Sequence, residues 1–347
     1  MRFYTTTHKH YCGVDLHAKS MYVCVLGQEG KVLLHRNLRT EPELFLRTIA
    51  PFREDLVVGV ECMFTWYWLA DLCAQEKIHF VLGHALYMKA IHGGKARNDR
   101  IDAYKIVTIL RGGMLPYAYV YPSEWRSTRD LLRRRLGLVR QRGQLMSHVQ
   151  NTHHQYNLPL PKKRIAYRAN REGVAEQFTD PCASKSIEVD LEVIGHYDEI
   201  IRELELYLTR KAKVHDQDRF HLLRSVPGIG KVLSMTILYE IHNIARFERV
   251  QQFASYSRLV KCQKSSAGKN YGTSGAKIGN VHLKWAFSEA AVLFLRGNPN
   301  AQNYLKRIEN KHGKRKALSI LAHRLGRTVY YMLKNRRTFS MEAFLKA

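Results

Sequence analysis

The sequence predicts an α/β unit built on a mixed sheet, then a long antiparallel coiled coil, then a mainly helical unit containing a helix-hairpin-helix. Three observations predict it. Strand-like apolar runs alternate with helical patterns over residues 1–122, and heptad-like spacing dominates residues 123–215. Residues 216–347 place a Pro-Gly turn between helical patterns and end in basic helices. These three spans are the expected domains.

In the first span, YCGVDLH, MYVCVLG, KVLLHRNL, LVVGVE and IHFVLGHA read as strands, with GQEG as a hairpin turn. EPELFLRTIAPF, FTWYWLADLCAQEK and KARNDRIDAYKIVTILRGG read as helices, the last closed by Gly112 and Gly113. Hairpin strands followed by β/α alternation predict a sheet flanked by helices. In the second span Leu132, Leu136, Val139, Met146 and Val149 keep a heptad-like spacing, and Ile194, Tyr197, Ile201, Leu204 and Leu208 repeat it. That is the pattern of two helices packed as a coiled coil. The stretch between them, with PLPKKR and Pro181, reads as an irregular tip.

The chain has 347 residues, 45% of them hydrophobic, enough for two or three domains with real cores. It contains no run near the roughly 20 apolar residues that cross a bilayer. The start MRFYTTTHKHYCG lacks a secretory apolar core. The expectation is a cytoplasmic, nucleoid-associated protein without a membrane partner. The six cysteines form no CxxC pair, which argues against a zinc site and a disulfide framework.

The formal net charge is +26, unevenly spread. Residues 1–122 hold 15 Lys and Arg against 11 Asp and Glu, whereas the remainder holds 41 against 19. Such an excess attracts phosphate backbones. From Trp125 to Leu145 there are seven Arg, including Arg133, Arg134 and Arg135, and one Asp. A solvated face and an anion contact both fit that imbalance, and the contact fits better.

Four carboxylates stand out. Asp15 and Glu61 end predicted strands, and Asp99 and Asp102 sit three apart on one helical face among Lys95, Arg97 and Arg100. Taken singly, each is an ordinary cap or surface ion pair. Together they could converge at one sheet edge and hold Mg2+, which prefers oxygen ligands, while the cations beside them hold phosphate.

In SVPGIGKVLSMTIL, Gly228, Gly230 and Lys231 belong to a turn whose amides and following helix could bind phosphate without reading sequence. An ordinary helix–turn–helix connection is the alternative. KCQKSSAGKNYGTSGAKIGN, residues 261–280, carries four Gly, four Ser or Thr and four Lys, among them Lys264, Lys269 and Lys277. It reads as a flexible cationic loop around phosphate. A nucleophilic Ser265 or Ser266 is the sharper reading, although composition shows no base to activate it. The aromatic group Phe64, Trp66, Tyr67 and Trp68 reads first as a helix packed on the sheet.

GVDLH, VGVE and NDRIDA, followed much later by PGIG and a Ser-Gly-rich loop, resemble the DEDD transposases of bacterial insertion sequences. More narrowly they resemble the one-hundred-and-ten insertion-sequence family, the bridge-RNA-guided recombinases, over residues 10–330 in the same order. The resemblance implies an RNase H-like, RuvC-like first domain whose Asp15, Glu61, Asp99 and Asp102 bind Mg2+. It implies a coiled-coil linker that helps assemble a homodimer or tetramer. It also implies a C-terminal transposase domain whose serine attacks donor and target DNA through a phosphoserine link, guided by an element-encoded bridge RNA. Where relatives carry Ser-Gly or Ser-Ser-Gly-Gly, this chain has Ser265-Ser266-Ala267-Gly268. Ser266 is the preferred nucleophile and Ser265 the alternative. Two rival readings remain: a RuvC-like metal-dependent nuclease that resolves branched DNA, and a non-catalytic nucleic-acid-binding protein.

Overall fold

The computed structural model describes residues 2–91, 98–274 and 278–346. The chain divides into two compact units, Met1–Ser123 and Glu124–Ala347.

The first unit runs β1 (Phe3–Tyr4), β2 (His10–Leu16), β3 (Ser20–Gly27), β4 (Val32–Arg39), α1 (Pro42–Ile49), β5 (Leu56–Glu61), α2 (Tyr67–Gln75), β6 (His79–Gly83), α3 (Ala85–Ile91), α4 (Asp99–Arg111) and β7 (Leu115–Pro116). Five strands form one sheet in the order β4-β3-β2-β5-β6. β3 is antiparallel to both β2 and β4, while β5 runs parallel to β2 and β6 parallel to β5. The predicted strands are all present. The short antiparallel pair β1–β7 and helix α3 were not foreseen. Two-residue strands carry no periodicity to read.

Side chains alternate across a strand, so parity sorts the two faces. Cys12, Val14 and Leu16 of β2 join Val58 and Val60 of β5 in one core, closed by Phe45 and Ile49 of α1 and Leu69 and Cys73 of α2. Tyr11 and Val57 join the opposite core with Ala103, Ile106, Val107 and Leu110 of α4. Odd-numbered positions of β2 and β5 therefore face α4.

Two of those positions are glycines, paired in register as Gly13 and Gly59. A Cβ at Gly13 would lie 2.5 Å from the Val107 amide nitrogen and 2.6 Å from the Ala103 carbonyl oxygen. A Cβ at Gly59 would lie 2.9 Å from a Leu110 methyl. The helix backbone thus rests directly on the strand. α4 starts at Asp99 because Asn98 is extended, with φ −156°, and its Oδ1 accepts the Ile101 N–H at 2.8 Å. Lys95 and Arg97 lie outside the described residues.

The second unit carries α5 (Ser123–Gln155), α6 (Pro181–Arg224), α7 (Lys231–Ile241), α8 (Val250–Tyr256), β8 (Cys262–Ser266), β9 (Lys269–Ser274), α9 (Val281–Phe294), α10 (Pro299–His312), α11 (Lys314–Asn335) and α12 (Met341–Lys346). Ion pairs set α5 against α6 in antiparallel order. Arg135 meets Glu205, Arg142 meets Asp198 and His148 meets Asp190, so partners descend along one helix as they ascend along the other. The segment between the helices is more ordered than the sequence suggests. Ile165, Val174 and Phe178 pack with Val149 and Ile187. Arg171, buried, donates to the Ile165 carbonyl at 2.9 Å and pairs with Asp198. Helical geometry breaks at Asp216, whose Oδ1 accepts the Arg219 N–H at 2.9 Å and restarts the helix. The main core then gathers Phe220, Leu223, Tyr239, Phe253, Phe287, Phe294, Leu325 and Tyr330 from α6 to α11.

Gly13→Ala should force α4 off the sheet and cost about 1–3 kcal/mol, as overpacking does. Chemical denaturation of the purified variant measures it, and wild-type stability would mean that α4 does not bear on the strand.

Candidate functional site

Parity places the first two acids. Asp15 and Glu61 follow Gly13 and Gly59 by two residues, so both project on the α4 side of the sheet. They lie one step beyond the paired Val14 and Val60, at the carboxyl ends of adjacent parallel strands. Helical spacing places the other two. The sheet-facing stripe of α4 is Ala103, Ile106, Val107 and Leu110, with Asp99 one turn before Ala103 and Asp102 one turn before Ile106. Seating α4 on Gly13 thus carries its first turn to the ends of β2 and β5.

Neighbouring carboxylates act on Asp15 and Glu61. Burial pushes the Asp15 carboxyl above the usual range, His17 opposes this, and Asp99 and Asp102 push it further up. Burial also raises Glu61, reinforced by Asp15 and Asp102. Glu61 and Asp102 share a cleft of about 330 Å³ with Lys89 and Lys105. The Lys105 ammonium stands 3.4 Å from Asp102. Arg100 is exposed on the same first turn.

The sequence reading missed His17. Its Nε2 lies 3.4 Å from Asp15 Oδ2 and 3.6 Å from Asp99 Oδ1. The only signal in the sequence was proximity: His17 follows Asp15 by two residues, just past the end of β2. A second cleft begins at His17 and is walled by Phe64, Tyr67 and Trp68. Trp66 packs into the core as expected, while Phe64 is 82% exposed.

In the second unit the stretch read as a flexible loop is instead a β-hairpin, β8–β9. Ala267 and Gly268, both at positive φ, make the two-residue turn that hairpins favour. Ser265 and Ser266 are exposed just before it, with Ser266 opposite Lys269. Nothing is described of the Lys264 side chain, and Lys277 lies outside the described residues. The hairpin's flanks are tied together. The Asn280 N–H donates to the Tyr256 carbonyl at 2.6 Å, and Arg258 Nε donates to the Gly279 carbonyl at 2.9 Å.

Asn280 also donates to Glu240 at 2.7 Å. Arg133 holds the same buried carboxylate through Nε at 2.7 Å and Nη2 at 2.8 Å. Burial pushes Glu240 up, yet Arg133, Asn280 and Arg129 together hold it below the usual range. Among the three consecutive arginines, Arg133 and Arg135 thus have protein partners that the sequence did not reveal, and Arg134 between them is exposed. The PGIG turn joins α6 to α7. Gly228, at φ +83°, lies against α9, where a Cβ would meet the Phe294 nitrogen at 2.5 Å. Gly230 and Lys231 are exposed at the start of α7.

A five-stranded mixed sheet of this order, with acids at its edge, is consistent with the DEDD, RNase H-like class of nucleic-acid-processing domains. A DEDD transposase model of the IS110 type matches residues 12–157, and a model described as "Transposase IS116/IS110/IS902 family" matches residues 220–306. The chain belongs to the IS110-type transposases, enzymes that cut and rejoin DNA in the movement of insertion sequences. Over 334 residues it is 22% identical to a transposase for insertion sequence element IS1111A from Coxiella burnetii, covering 94% of this chain and 90% of that one. A probable family 20 transposase from Pseudomonas aeruginosa is 25% identical over 284 residues, 78% of this chain and 80% of the relative. An insertion element IS116 protein from Streptomyces clavuligerus is 25% identical over 124 residues, 35% and 31% of the two chains.

A DEDD domain implies dependence on a divalent cation. The donor set fits one: hard carboxylate oxygens of Asp15 and Asp99 stand close together, and burial, reinforced by neighbouring carboxylates, raises Asp15 and Glu61.

Two outcomes follow. A carboxyl whose value is raised by folding binds its proton more tightly in the folded state. Its contribution to stability is present at low pH and is lost as pH rises from the ordinary carboxylate range through the raised value. Asp15→Asn removes that burden, so in metal-free buffer it should raise Tm near pH 7, and the gain should shrink toward about pH 4. A lower Tm near pH 7 would show that Asp15 is not repelled. Arg133→Ala leaves Glu240 buried without its guanidinium and should cost about 3 kcal/mol in chemical denaturation. A neutral result would reduce that pair to a surface contact.

Proposed function

We propose that this transposase is an RNA-guided DNA recombinase. Asp15, Glu61, Asp99 and Asp102 hold Mg2+, and Ser266, or Ser265 in its place, is the nucleophile on DNA. The observation that carries the reading is that Asp15 and Asp99 share one cluster of ligand atoms while Glu61 and Asp102 line one cleft, with Asp15 and Glu61 at the ends of adjacent strands. Mg2+ bound there would stabilise charge on the scissile phosphate. The chain's own residues divide the rest. The serine Oγ bonds to phosphorus and loses its proton as a 3′- or 5′-oxygen of the DNA departs, and attack by a DNA hydroxyl on the phosphoserine restores the phosphodiester. An exposed hairpin suits a nucleophile that must reach a bulky duplex.

Arg100, Arg134, Lys231 and Lys269 are exposed cations that can meet phosphate without reading sequence. The α6–α7 turn is read as a helix-hairpin-helix whose Gly228 and Gly230 let a backbone approach closely. The α5–α6 pair is read as the coiled-coil linker of a homodimer or tetramer. The basic excess after residue 122 supports a polyanionic partner beyond the DNA, the bridge RNA. Among the described residues no helix is long and apolar enough to cross a membrane.

The acids belong to one unit, which favours a second reading as a metal-dependent nuclease that needs no serine. A supercoiled-DNA assay separates the two. Asp15→Ala and Asp102→Ala should lose strand exchange by at least about 100-fold with DNA binding retained. The double variant Ser265→Ala/Ser266→Ala should lose it equally and form no covalent adduct. Full cleavage by the double variant would leave the nuclease. Unchanged activity in both aspartate variants would remove the metal assignment. Sequencing of RNA that copurifies with the protein tests the guide.

A further inference from the structure

We propose that His17 is a ligand of the divalent cation, so that the centre is a mixed nitrogen–oxygen site and not an all-carboxylate one. The inference rests on the metal reading above and goes beyond its four acids. Its first support is placement. His17 follows Asp15 by two residues, just past the end of β2. The imidazole Nε2 is 3.4 Å from Asp15 Oδ2 and 3.6 Å from Asp99 Oδ1, and ligand atoms of all three residues lie within 4.8 Å of one another.

Those separations are informative. They are ion-pair separations, longer than the N···O distance of a well-made hydrogen bond. They come near the ligand–ligand edge of an octahedral site, about 3 Å for cation–ligand distances near 2.1 Å. A shared cation would draw the three together by a few tenths of an ångström.

The second support is the backbone. The His17 N–H donates to the Ser20 carbonyl at 2.9 Å, and its carbonyl accepts from Thr40 Oγ1 at 3.0 Å. The ring therefore projects from a fixed point in the β2–β3 turn. It stands 51% exposed, open to a phosphate arriving with the cation.

The chemical consequence is selectivity. An imidazole nitrogen favours transition cations over alkaline-earth ones, which prefer oxygen. His17 should tilt the centre toward Mn2+ relative to Mg2+.

Pulsed EPR of the full-length protein loaded with Mn2+ tests this directly. Wild type should show nitrogen modulation from a directly bound imidazole. His17→Ala should lose that modulation while still binding Mn2+, about tenfold more weakly, with a smaller loss for Mg2+ by calorimetry. Asp102→Ala, which keeps His17, should retain the modulation of whatever Mn2+ it binds. Bound Mn2+ without nitrogen modulation in wild type would overturn the inference and leave the acid centre standing. A wild-type protein that binds no Mn2+ at all would instead overturn the metal reading beneath it.

Discussion

The seating of α4 on Gly13 is the contact on which the first unit depends. A helix normally stands off a sheet by the length of two side chains. Here the Ala103 carbonyl and the Val107 amide come within 2.6 Å of where a Cβ at Gly13 would be, so one side of that spacing is missing. Nothing in the chemistry of the acids requires glycine. What requires it is reach: Asp99 and Asp102 are short, and only a helix resting on the strand brings its first turn to the ends of β2 and β5. The glycines and the acids form one device, with Gly13 and Asp15 on β2 and Gly59 and Glu61 on β5 sharing spacing and face.

That device has an electrostatic cost. Burial, reinforced by neighbouring carboxylates, raises Asp15 and Glu61 within a nearly charge-balanced unit. His17 opposes the rise at Asp15, and Lys105 stands beside Asp102. A cation bound among the proposed ligands would offset this crowding.

The second unit handles charge in the opposite way. Its excess of Arg is partly spent internally, on Asp198, Glu205 and the buried Glu240. The Glu240–Asn280 bond does two things at once, since Asn280 also caps α9 by accepting the His282 and Leu283 N–H groups. The base of the serine hairpin is thereby tied to α5, α7 and α9, while Ser265 and Ser266 at its far end stay exposed. A rigid base with an accessible tip suits a residue proposed to touch DNA.

Sequence by itself determined the strands of the sheet, the position of α4 and the long helices α5 and α6, because periodicity and capping are local. Asn98 caps α4 through its own side chain, and LVVGVE is a continuous apolar run of a buried strand visible in six residues. Tertiary structure decided what depends on partners far along the chain. Ser265 and Ser266 looked like loop residues until strand pairing made them hairpin residues. Arg133 looked like a phosphate contact until Glu240, 107 residues later, took its guanidinium. His17 became meaningful only when α4 brought Asp99 beside it. The physical reason is the same in each case: an ion pair, a ladder or a ligand set has two or more ends, and local sequence shows only one.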